Sequence, residues 1–152
     1  MACVDVPALP LQLLMRRHPA WAAQPAAVVD RDRPQGIVEW VNEAARRAGV
    51  LPGMSYAAGL SLAGGLRAAE VPPGDVEAGV AAIAGLLRRF TPGVEPSVAQ
   101  PGVFWLDASG LQPLFVSLVD WGRGVRAHLR AAGFRGRVVV GFTRFGTYAL
   151  AR

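Results

Sequence analysis

The sequence contains no lysine, a single cysteine and two histidines, and each scarcity narrows what the chain can be. Cys3 alone can make neither an internal disulfide nor a multi-thiolate metal site, and its apolar neighbours mark it as a small core residue. His18 and His128 lack metal-ligand spacing to each other or to the cysteine. Ser109 and Ser117 lack a nucleophile-elbow context. No apolar run reaches the ~18 to 20 residues that a membrane span needs, so no membrane partner is expected. Met1 to Val6 has neither the basic start nor the cleavage site of a secretory signal, and a cytoplasmic location is the corresponding expectation.

What is present is the material of a folded domain. Across 152 residues, hydrophobic residues make up 52% and charged residues 18%, a balance that excludes a disordered chain. All 16 basic residues are arginine against 11 acids, and the net charge of +5 is only a modest hint of polyanion binding. Arg123, Arg126 and Arg130 recur at helical spacing near Arg135 and Arg137, as a basic or simply solvated face would. Trp21, Trp40, Trp105 and Trp121 each stand in apolar surroundings that suit a core.

The local pattern predicts a buried strand over Met1 to Val6, then a leucine-rich helix from Leu9 to about His18 that Pro19 closes. Strands are expected at Ala26 to Asp30 and Ile37 to Val41, followed by a helix from Glu43 to Ala48 that Asn42 caps and Gly49 ends. A turn at Leu51 to Met54, a short helix at Tyr56 to Leu62 and an edge strand at Leu66 to Val71 follow. Asp75 is read as the cap of a long helix, Val76 to Phe90. A hairpin of Val94 to Ala99 with Gly102 to Asp107 comes next, then a helix from Phe115 to Ala132, a strand from Arg137 to Phe142 and a helix from Thr143.

With 8–70 set aside, the order is strand, helix, strand, strand, helix, strand. That is the split βαβ arrangement of an α+β, ferredoxin-like sheet, expected to bury one face under helices and leave the other free. The fold alone licenses no function.

The motifs carry a more specific resemblance. Cys3-Val4-Asp5-Val6 and the helix after it resemble the opening strand of Y-family (translesion, UmuC/DinB-like) DNA polymerases, which bears the first metal-binding aspartate. Gln24-Pro25-Ala26-Ala27-Val28-Val29 and the run from Asn42 to Met54 resemble strand and helix-turn segments of that family's fingers. Phe90 to Pro96, Trp105-Leu106-Asp107 and Val140 to Arg144 resemble palm segments in the family's order. The run Trp105 to Leu111 is closest to the ImuB branch. The resemblance implies a palm at 1–7 and 71–152, incomplete at its carboxyl end, with a fingers-like insertion at 8–70.

The family holds two divalent cations on three acids, because hard cations need several converging carboxylate oxygens. Asp5 matches the first. The other two form an Asp-Glu pair on the hairpin; counted back from Trp105 they fall on Gly102 and Val103, and counted forward from Pro96 on Gln100 and Pro101. None of the four is acidic. Asp107 would lie about 13 Å along its strand from Val103, too far to share an ion with Asp5, and Glu95 faces a similar problem. The aromatic sugar gate aligns with Pro10, and the fingers tyrosine that contacts phosphate aligns with Glu43. Arg46 and Arg144 match the family's phosphate-binding Arg and Lys and are candidate anion or DNA-backbone contacts, against the plainer reading of surface arginines.

The resemblance therefore implies a catalytically degenerate relative that needs no cofactor. Such a protein would work in damage tolerance and induced mutagenesis, linking an error-prone replicative-type polymerase and an accessory mutagenesis protein to the sliding clamp at damaged or primer-template DNA. Two other readings stay open: an active translesion polymerase with a rebuilt magnesium site, and a protein-interaction module unrelated to DNA. Gln112-Pro113-Leu114-Phe115 faintly resembles a clamp-binding peptide but is read as the start of a palm helix.

Overall fold

The computed structural model describes residues 1–110, 117–141 and 143–152. Among them the chain divides into two compact units, Met1–Leu9 with Glu77–Arg152, and Pro10–Val76. The first unit carries nine arginines against five acids and the second seven against six, so most of the positive charge sits in the first.

The first unit is built on a four-stranded sheet of β1 (Ala2–Asp5), β5 (Val94–Pro96), β6 (Val103–Leu106) and β7 (Arg137–Val140), in the order β5-β6-β1-β7. All its pairings are antiparallel. This order, with α4 (Pro73–Leu87) before β5 and α5 (Leu118–Ala131) before β7, is the split βαβ arrangement that the alternating apolar strands predict. Period-2 alternation turns Val4, Phe104, Val138 and Val140 to one face and Cys3, Asp5, Val103 and Arg137 to the other. On the first face α5 lies against β7, where a Cβ added at Gly122 would sit 3.7 Å from both Val138 and Val140. Trp121, Val125 and Leu129 of α5 are fully buried, as are Ile83 and Leu87 of α4. Burying side chains of this size stabilises by roughly 1.5–3 kcal/mol each before conformational entropy is counted.

The second face is not left free as the sequence pattern suggested. Helix α6 (Arg144–Ala151) lies on it, with Ala151 packed against Cys3 and Val103, and Tyr148 joined to the same cluster with Trp105 and Val139. Thr143 caps this helix by accepting from the Gly146 N–H at 3.1 Å. Small residues on the strand side, Cys3 and Val103, let the helix approach.

The second unit has a three-stranded sheet of β2 (Ala26–Val29), β3 (Val38–Val41) and β4 (Arg67–Ala69), ordered β3-β2-β4 with β4 parallel to β2. Its core joins Ala27, Val29, Val38, Val41, Ala45, Val50 and Leu66. The helices α1 (Leu9–Arg17), α2 (Glu43–Arg47) and α3 (Tyr56–Leu62) are the remaining elements of this part of the chain, and Ala45 of α2 joins the core. Asn42 is the junction of sequence and fold here. Its side-chain oxygen accepts from the N–H groups of Ala45 (2.9 Å) and Ala26 (3.0 Å), and its amide donates to the Gln24 carbonyl at 2.7 Å. One side chain thus caps α2 and ties it to β2.

Three local expectations are corrected. Helix α4 starts at Pro73, not Val76, because proline suits a first helical position where its missing N–H has no partner to lose. Asp75 is then inside the first turn and pairs with Arg17 at 2.7 Å instead of capping. Pro19 opens a short 3-10 turn, Pro19–Ala23, as well as ending the helix before it. Trp40 is 40% exposed on β3, while Trp121 is fully buried. The proposed start of α5 at Phe115 lies outside the described residues, and the helix is observed from Leu118 with Ser117 accepting from Asp120 N–H at 3.1 Å. Phe142 also lies outside them.

Candidate functional site around Asp5

Asp5 ends β1 in the centre of the sheet, with Val103 of β6 as its cross-strand partner on one side and Arg137 of β7 on the other. Directly opposed residues of an antiparallel pair are about 4.5–5.5 Å apart at Cα and present their side chains to the same face. Its cross-strand partners on that face are therefore a valine and an arginine.

The side chain is nearly sealed, at 3% exposure. Burial pushes its pKa above the ordinary carboxylate range, while the positive charges of Arg152 and then Arg137 oppose that rise. The net upward direction means desolvation wins over the two guanidinium groups. Neighbouring Cys3 is pushed up to about 11, first by burial and then by the charge on Asp5, so its thiol is inert.

The four positions on which the family's acid pair is expected to fall separate in space. Gln100 and Pro101 belong to the turn between β5 and β6, where the Gln100 carbonyl accepts from Val103 N–H at 3.1 Å. Only Val103 stands beside Asp5. Gly102 has φ +102°, and a Cβ built on it would lie 2.4 Å from the Val6 carbonyl oxygen. The Gly102 carbonyl meanwhile accepts from Val6 N–H at 2.8 Å and clasps the hairpin to the end of β1. No acidic side chain fits at 102 without moving backbone.

Around this clasp the structure assembles a polar group that the sequence pattern did not point to. Tyr148 of α6 donates its hydroxyl to Gln100 Oε1 at 2.6 Å, and Arg152 approaches the same oxygen at 3.3 Å. Arg137 donates to the carbonyls of Ala151 and Arg152. These contacts link residues 14 to 52 positions apart, so no local motif could reveal them.

The remaining acids are engaged elsewhere. Glu95 is the cross-strand partner of Trp105 and pairs with Arg144 at 2.5 Å, while the Arg144 guanidinium also lies over the Trp105 ring at 4.8 Å from its centroid. Arg144, a candidate anion contact, thus shares its guanidinium with Glu95 and Trp105. Asp107 accepts from Ser109 Oγ and N–H at 2.6 and 2.9 Å, hydrogen bonds that hold its pKa below the usual range. In the other unit, Arg46 is exposed on α2 and makes no side-chain hydrogen bond or ion pair among the described residues, while Glu43 pairs with Arg47 at 3.1 Å. Pro10 occupies the second position of α1, where its ring costs no hydrogen bond. The clamp-like peptide 112–115 lies outside the described residues.

Among the described residues, no three His, Cys, Asp or Glu side chains converge as metal ligands. The donor set at Asp5, one carboxylate beside a valine and an arginine, does not fit a pair of magnesium ions.

A ferredoxin-like sheet interrupted after its first strand by a small α+β unit defines the palm-and-fingers class of Y-family DNA polymerases. Solved structures agree. "Insertion ternary complex of Dbh DNA polymerase" superposes with TM-score 0.80 at 20% identity, covering 99% of this chain and 44% of that one. "Crystal Structure of DinB from Sulfolobus solfataricus" gives 0.76 at 21% identity, covering 94% and 42%. The chain thus spans less than half the length of these neighbours. The impB/mucB/samB family model matches residues 4–145, and the chain belongs to that family. None of the curated proteins matches the sequence significantly.

Proposed function

We propose that this chain is a non-catalytic, Y-family polymerase-like scaffold in DNA damage tolerance. In this reading it is the palm-and-fingers part of a protein of the ImuB kind, holding an error-prone replicative-type polymerase and an accessory mutagenesis protein to the sliding clamp at damaged or primer-template DNA. One observation carries it: the strand neighbours of the single acid Asp5 are Val103 and Arg137. Two dications brought to one carboxylate beside a guanidinium would lose hydration that a single ligand cannot replace. Family membership supports the link to translesion synthesis, and exposed Arg46 supports a backbone contact to DNA.

Primer extension by the full-length protein with magnesium or manganese tests it. No incorporation above that of an Asp5→Ala control is expected. Extension that Asp5→Ala abolishes would establish an active polymerase and overturn the proposal.

A further inference from the structure

We draw no further inference here: the strongest candidate, the side-chain cluster of Gln100, Tyr148, Arg137 and Arg152 that ties the turn between β5 and β6 to the end of α6, belongs to the site already described around Asp5.

Discussion

The two faces of the four-stranded sheet are covered by different means. One face carries Val4, Phe104 and Leu106, all at most 1% exposed, alternating with nothing polar on that side. The other carries Cys3, Asp5 and Val103, equally sealed, yet it includes an ionisable group whose neighbours are a valine and an arginine. The first face stabilises the fold through dispersion and apolar burial. On the second, burial raises the pKa of an acid held between a valine and an arginine, so its charged form is disfavoured there.

The largest expected effect lies on the apolar face. Phe104→Ala leaves a cavity at the centre of the sheet and should cost about 3–5 kcal/mol in denaturant unfolding. A cost below 1 kcal/mol would mean that this face is not the main source of stability. Gly102→Asp is expected to cost about 1–3 kcal/mol, because it combines a positive φ with a Cβ overlapping the Val6 carbonyl. It should also fail to gain manganese affinity, and a gain would show that the clasp yields readily.

Asn42→Ala is a control in the other unit. Loss of the cap and of its ties to Ala26 and Gln24 should cost about 1–2 kcal/mol, with no change in the titration of Asp5. The smallest effect has the opposite sign. Because the folded pKa of Asp5 is raised, the folded state holds its proton more tightly than the unfolded chain does. Its contribution to stability is therefore fully present below the ordinary value of 3.8 and is lost as pH rises through the folded value. Asp5→Asn should thus be more stable than the parent at pH 7, and the difference should vanish below about pH 3. Thermal unfolding at the two pH values reads it, and a destabilised Asp5→Asn at pH 7 would mean that the charged form is held by partners.

Much of the fold was legible because its signals are local. Asn42 and Thr143 each accept from an N–H three residues on, and Gly49 and Gly133 take positive φ where the helices end. The site was legible only in part. The candidate positions Gln100 to Val103 were marked, but two counts of the hairpin competed, and only the pairing of Asp5 with Val103, nearly a hundred residues apart, separates the turn positions from the strand position. The covering of Asp5 by α6 was missed because nothing in an eight-residue helix says which sheet face it will meet. Likewise the apolar surroundings of Trp40 in sequence suggested a core residue, whereas β3 is an edge strand that leaves it exposed.

Asp5 stands between Val103 and Arg137, and the proposed scaffold takes up no cation there. Electron paramagnetic resonance of manganese titrated into the full-length protein at pH 7 addresses it directly. The expected result is a free-ion signal undiminished at micromolar metal and identical in Asp5→Ala. Stoichiometric uptake of two ions per chain, lost in Asp5→Ala, would contradict it.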